Sequence, residues 1–338
     1  MALMSSVFST PVASTLLLPF SMWTTHGAEA SVLAKAELPH LRAWLQQARR
    51  VAVDVDKPLE PLLATLSPPH ERAWAQAMAW SLPDGVLPWA AQAAHAQGLH
   101  TQNPDAAWAF ISLCNWHVSN GQVTLGDPTH LQIDDATDAA LFASLQPFLA
   151  EDGIALHPYR PGQWLAQSPW FADLPTASLD RVIGRNIDPW LVGGEAPSGA
   201  AKQLRRLQNE VQMLLYTHPV NEGRGLTLNS FWVHGTGALP AHTAPAATPA
   251  PQVVNRLRSS ALQQDLIGWL DAWREVDADV MAPLRERALA GERQRLVLCA
   301  EHEFHVYDTA TPSLWQRVRR HFVPTSLDTV LAVAPLKD

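Results

Sequence analysis

Lys202-Gln203-Leu204-Arg205-Arg206-Leu207-Gln208-Asn209-Glu210-Val211-Gln212-Met213-Leu214-Leu215-Tyr216 runs through Thr217 into His218-Pro219-Val220-Asn221-Glu222-Gly223-Arg224. Leu204, Leu207, Val211, Leu214 and Leu215 recur three or four positions apart, the spacing that lines apolar side chains along one helix face. Arg205, Asn209 and Gln212 fall off that stripe. Pro219 cannot continue a helix, so the element stops just before it. Beyond a polar loop, residues 226–233 read as a strand leading into Gly235-Thr236-Gly237. Helix, polar loop and strand in this order point to an α/β protein.

Upstream, residues 108–125 alternate as a strand pair around Ser119-Asn120-Gly121, and Asn-Gly is a strong hairpin signal. A helix over 137–149 stops at Asp152-Gly153, and a strand over 154–159 follows. Nearer the N-terminus, 15–20 reads as a buried strand. A helix over 38–48 turns Leu41, Trp44, Leu45 and Ala48 inward. Ser67-Pro68-Pro69-His70 opens a second helix with Trp74, Ala77 and Met78 on its inner face, and Ser67 is its natural N-cap. Residues 239–251, rich in Ala, Pro and Thr, read as a linker. After it, helical pattern runs over 252–289 with a break near Pro283. The run 296–300 reads as a strand covered on both faces and opens into Glu301-His302-Glu303-Phe304-His305.

Composition bounds the function. The chain has 338 residues, 47% of them apolar and 17% charged, enough for real hydrophobic cores. A net charge of -8 with no basic block excludes a nucleic-acid partner, because phosphate neutralisation drives that binding. No stretch is long enough to cross a membrane. Cys114 and Cys299 give neither a disulfide framework nor zinc spacing and read as buried thiols of a reducing compartment. The apolar run 12–20 has no Lys or Arg before it, the first being Lys35, so it lacks the basic region of a secretory leader. The expected location is the cytoplasm. Small anions remain a feasible ligand class, since a local group of Arg and His suffices.

Four constellations carry possible chemistry. His218, Asn221, Arg224 and Asn229 combine a cationic fork with amide donors and suit a small phosphorylated acid, or else cap the turns of a loop. Arg181 and Arg185 flank Gly184 and either approach an anion or pair with Asp180 and Asp188. Glu301 and His302 follow a buried strand, where open α/β sheets gather ligands. On an extended chain Glu301, Glu303 and His305 share one face as oxygen and nitrogen donors. His70 and Glu71 sit at a helix start, a place that favours anions.

The order of these features resembles the archaeal-type, cofactor-independent phosphoglycerate mutases. In that family a helix ends in His-Pro-Val-Asn, an Arg follows, and an Asn-bearing strand runs to Gly-x-Gly, as His218-Pro219-Val220-Asn221, Arg224, Asn229 and Gly235-Thr236-Gly237 do here. Cys114-Asn115-Trp116 before a Gly-Gln-Val strand, and Leu38-Pro39-His40-Leu41 after the first strand, are similar too. The same features resemble a bacterial group described as predicted phosphoglycerate mutases or RpfE-type regulatory proteins. The resemblance implies an alkaline-phosphatase-like α/β core sheet with helices on both faces, built from residues 1–110 and 250–338. It also implies an inserted α/β substrate domain over 111–238. Arg181, Arg185, His218, Asn221, Arg224 and Asn229 would hold the substrate.

The chain departs from that family where two-metal chemistry needs ligands. The family's first strand ends in a metal-binding Asp, whereas this one ends in Leu18-Pro19-Phe20-Ser21. The nucleophilic Ser falls near His70-Glu71, the closing Asp-His pair appears as Glu301-His302, and a substrate Arg is Leu113. Losing an acid and the nucleophile removes nearly all phosphoryl transfer. The expectation is a mutase-like protein with a degenerate centre and no cofactor, binding a small phosphorylated metabolite, with regulation as a role open to it. One alternative is an active phosphomutase or phosphatase, with Mn or Mg on Glu301 and His302 and His70 as phosphoryl acceptor. Another is a scaffold with neither site.

Overall fold

The computed structural model describes residues 7–335 apart from 9, 26, 28, 58–63, 100–105, 195, 241–248 and 310–325. It divides into two compact units, one made of 1–64, 68–81 and 243–338, the other of 65–67 and 82–242. Most of the linker expected at 239–251 lies outside the described residues.

The chain begins in the first unit with β1 (Ser14–Leu18), α1 (Pro39–Leu45), β2 (Ala48–Val55) and α2 (Pro69–Ala77). The second unit contributes α3 (Trp89–Ala96), β3 (Trp108–Cys114), β4 (Trp116–Ser119), β5 (Gln122–Leu125) and α4 (Asp135–Glu151). It continues with β6 (Ala155–Arg160), β7 (Gln163–Gln167), α5 (Gly199–Tyr216) and β8 (Ser230–Gly237). The chain then returns to the first unit through β9 (Gln252–Val253), α6 (Leu266–Val276), α7 (Ala282–Leu289), β10 (Gln294–Cys299) and β11 (Glu303–Thr309).

The first unit is built on a mixed sheet of order β9-β1-β10-β11-β2. β1 runs parallel to β9 and β10, while β11 is antiparallel to β10 and β2. β1, β10 and β2 therefore end on the same edge, together with the β10–β11 turn. All six residues of β10 are buried, as its unbroken apolar run predicts. Leu16, Leu18, Leu296 and Leu298 pack on one face with Trp44, Trp269, Trp273 and Leu284 from α1, α6 and α7. α2 lies against β1, β10 and β11. At the opposite edge Arg295 is fully buried and grips Asp308 through two bonds of 2.7 and 2.8 Å. Its guanidinium also donates to the Val7 carbonyl at 2.7 Å and lies over the Phe8 ring.

The second unit has an antiparallel sheet of order β6-β7-β3-β8. Ala109, Ile111 and Leu113 of β3 meet Leu141, Leu145 and Leu149 of α4 and Leu204, Leu207, Val211 and Leu215 of α5. Burying each large side chain of this stripe contributes roughly 1.5–3 kcal/mol. On the other face Trp108 and Phe110 pack against Ala90, Ala91 and Ala94 of α3. That packing groups residues 82–110 with the second unit, whereas the sequence reading placed them with the flanks. Asn120 and Gly121 both have positive φ, 50° and 75°, and turn β4 into β5 as a tight hairpin.

Several local expectations need correction. α1 ends at Leu45, and Ala48 already belongs to β2. Ser67 is not the cap of α2. Pro68 holds that position without a side-chain bond, and Ser67 Oγ accepts from the Gly85 N–H at 3.0 Å. The stretch after 251 opens as β9, not as helix, because Gln252 and Val253 pair with Leu16 and Leu17. Pro283 breaks nothing, since it sits in the first turn of α7, where a missing N–H is harmless. The irregularity precedes it as a π-helical turn, Asp277–Met281. β8 begins at Ser230 rather than 226.

Candidate functional site

The carboxyl edge of the first unit's sheet is where an open α/β sheet gathers ligands. β1 leaves the sheet through Leu18-Pro19-Phe20-Ser21, and every part of that turn is engaged internally. Trp269 Nε1 donates to the Phe20 carbonyl at 2.7 Å and Trp273 Nε1 to the Ser21 carbonyl at 3.2 Å. Ser21 Oγ donates to the Leu18 carbonyl at 2.7 Å and accepts from Cys299 N–H at 2.9 Å. Ser21 is wholly buried, and Phe20 holds a left-handed φ of 56°. The turn is a plug made by two indoles.

Beside it, charged groups converge from three elements. Arg72 of α2 donates through Nη2 to Asp54 at 2.6 Å and through Nη1 to Asp56 at 2.5 Å. Its Nε adds a contact to Asp54 at 3.2 Å. The Asp56 side chain is fully buried and that of Arg72 only 15% exposed. Burial works against the guanidinium charge, but Asp56 and Asp54 outweigh it and leave its pKa raised. Glu301 and His302 form the tip of the β10–β11 hairpin, closed by Ala300 N–H to the Glu303 carbonyl at 2.7 Å. The tip is tied to the end of β2 by Asp56 N–H donating to the His302 carbonyl at 2.7 Å. His302 Nδ1 lies 3.4 Å from Asp56 Oδ2 and Nε2 lies 3.3 Å from Glu301 Oε1.

Glu301 is thus in a turn and does not share a strand face with Glu303 and His305, which contact each other at 2.8 Å. His70 packs its ring against Phe20, with centroids 5.3 Å apart. Glu71 takes the first turn of α2, where a carboxylate complements the helix dipole.

A dinuclear metal centre does not fit this edge. The β1 turn offers no carboxylate, both carboxylates at the end of β2 hold a guanidinium, and the His302 ring sits between two acids. Among the described residues no group of three or more His, Cys, Asp or Glu is arranged to hold a metal ion.

In the second unit the residues expected to bind substrate meet backbone groups. Asn221 Nδ2 donates to the Leu215 and Leu228 carbonyls, and its Oδ1 accepts from Leu228 N–H, each at 2.8 Å. Asn229 pins β4 by accepting from Trp116 N–H at 2.7 Å and donating to its carbonyl at 2.8 Å. His218 Nδ1 accepts from Val220 N–H at 3.2 Å. Its Nε2 lies 3.0 Å from Ser144 Oγ. Arg224 donates to the Leu131 carbonyl. Arg181, 1% exposed, donates to Thr65 Oγ1 at 3.1 Å and the Ser67 carbonyl at 3.2 Å. Arg185 is half-buried, and its carbonyl accepts from the Leu125 N–H at 3.3 Å while Gly184 N–H donates to the Leu125 carbonyl at 2.8 Å, which seats this segment beside β5.

Sequence reasoning missed Asp54, Asp56 and Arg72. Their one signal was the i, i+2 pair of acids at a strand end. It also missed a polar trio across the second sheet, where Ser112 Oγ lies 2.9 Å from His234 Nε2 and accepts from Gln163 Nε2 at 2.7 Å.

No protein-family model matches the chain, and no curated protein matches it. Two solved structures are similar over most of their length. One is the PH0037 protein from Pyrococcus horikoshii, at 11% identity and a TM-score of 0.44, covering 89% of this chain and 88% of that one. The other is the cofactor-independent phosphoglycerate mutase from Thermoplasma acidophilum, at 13% identity and a TM-score of 0.32, covering 90% and 94%. Both TM-scores lie below 0.5, too low for either likeness to carry fold or function across to this chain.

Proposed function

We propose that this chain is a phosphoglycerate-mutase-like protein, of alkaline-phosphatase-like descent, that works by binding a small phosphorylated acid and does not turn it over. The observation that carries the reading is the β1 turn. Two-metal phosphoryl transfer needs a ligand at that strand end, and here Trp269 and Trp273 seal its carbonyls while Ser21 is buried beneath. The ligand class rests on the His218–Arg224 loop. A guanidinium has five N–H donors, and Arg224 brings them to a loop whose Asn side chains hold the backbone rigid.

The test is an assay of purified protein with 3-phosphoglycerate and added Mn²⁺, alongside calorimetric titration of 3-phosphoglycerate. The expected result is no interconversion, with binding that Arg224→Ala weakens at least tenfold. Interconversion above the uncatalysed rate would overturn the non-catalytic reading. Absence of binding would leave a scaffold.

A further inference from the structure

We propose that β2 is a docking edge for another protein, which adds an extended segment with an acidic end to the first unit's sheet as a further strand. This goes beyond the small-ligand reading and does not depend on it.

β2 is eight residues long and closes its sheet on one side. Among the described residues no strand pairs with its outer edge. Asp56 N–H bonds inward to the His302 carbonyl, and hydrogen bonding alternates along an antiparallel pair. The N–H and C=O of Val53 and Val55 therefore point outward. Val55 pairs with Glu303, Val53 with His305 and Arg50 with Tyr307, which puts Val55, Val53 and Arg50 on one face. The two valines stand in solvent, Val53 38% and Val55 44% exposed. Outward amides beside exposed apolar side chains are what a strand-adding partner uses, the main chain for affinity and alternate side chains for selection.

Charge names the partner. Arg49 and Arg50 are exposed at one end of the strand, and Arg50 is held by a bond to Tyr307. Glu303 stands beside Val55 at the other end. In a chain of net charge -8 this basic end is a local exception. A complementary strand is acidic opposite the arginines and apolar opposite the valines. Antiparallel pairing is the more stable, so its acids come last. A second copy of this chain brings its own two arginines and an Asp54 already held by Arg72. The chain's own neighbouring segments match poorly in sequence. Residues 58–63 contain Pro58 and Pro61, which lack ladder donors, and 310–325 carry Arg317, Arg319 and Arg320 with no acid.

The probe is a synthetic peptide of about eight residues, alternating threonine and valine and ending in two glutamates, with blocked termini and a fluorophore. Fluorescence anisotropy reads its binding to the full chain. The expected result is saturable binding, at least tenfold tighter than that of the same peptide ending in two lysines. Val53→Pro removes one outward N–H and no bond to β11, and is expected to weaken the acidic peptide at least tenfold. Arg50→Glu is expected to reverse the preference between the two peptides. Should circular dichroism show that Val53→Pro does not fold, the acidic peptide N-methylated on its β2-facing amides is expected to lose the same affinity for wild type. No saturable binding by folded wild type at about 1 mM peptide overturns the proposal. Equal affinities for the two peptides, or an affinity unchanged by Val53→Pro or by N-methylation, also overturn it. Tighter binding of a peptide copying residues 310–325 overturns it in favour of an internal occupant. Dimerisation of wild type in sedimentation, lost in Val53→Pro, overturns it in favour of a second copy.

Discussion

The Asp277 carboxylate accepts the backbone N–H of Leu41 at 2.7 Å, joining residues 236 positions apart. Its second oxygen takes His40 N–H at 3.1 Å. α1 begins at Leu38-Pro39 with no side-chain cap of its own, so the first residue of the π-helical turn supplies it. A helix start with orphan N–H groups is satisfied by an acid from another helix.

Asp277→Ala is therefore expected to destabilise the protein by about 2 kcal/mol, and Asp277→Asn, which keeps one acceptor, by about half that. Urea unfolding measures both. Equal losses in the two variants would mean that packing, not capping, is what Asp277 supplies.

Asn221 makes three backbone bonds across the loop between α5 and β8. Replacing it with Ala should cost roughly 2–3 kcal/mol, since each buried partner is left orphaned. A change in 3-phosphoglycerate affinity with unaltered stability would instead make Asn221 a ligand-contacting group.

The Arg295–Asp308 pair is buried at the edge away from the candidate site. Asp308→Asn strands the guanidinium charge and should cost about 3–5 kcal/mol, while the double change Arg295→Met with Asp308→Leu should cost far less than the sum of its parts. A double-mutant cycle in guanidinium chloride reads the coupling. Additive losses would show that the two residues act independently.

Burial raises the pKa of both thiols, Cys114 and Cys299, above the unfolded value of about 8.5. The folded state then keeps two protons that the unfolded chain releases. Their contribution is whole below the unfolded value and declines as pH rises above it, by up to about 2.7 kcal/mol per pH unit for the two. Unfolding free energy followed between pH 8 and 10 should show this fall, and Cys114→Ala with Cys299→Ala should flatten it.

How much of this was legible depends on range. The α5 stripe, the Asn120-Gly121 hairpin and the apolar run of β10 are encoded within a few neighbouring residues, so periodicity and turn chemistry reveal them. Short-range polarity leaves two readings open where a side chain has two possible partners. His218, Asn221 and Asn229 have the donors a phosphate wants, and the backbone of their own loop wants the same donors. The Arg72 cluster was invisible because no strand was drawn over 48–55 from the sequence and nothing local joins Asp54 and Asp56 to Arg72. Only the pairing of β2 with β11 brings the hairpin tip to them. Asp277 and Leu41 meet for the same non-local reason.

β9 has a further bearing on how the molecule behaves in concentrated solution. It is a sheet margin two residues long, with both residues exposed, and it presents too few amides for a second chain to add a strand in register. The opposite margin, β2, carries exposed Arg49 and Arg50, whose charges repel a matching copy. Both borders thus guard against cross-β aggregation, and lengthening the first or neutralising the second is the direct way to provoke it.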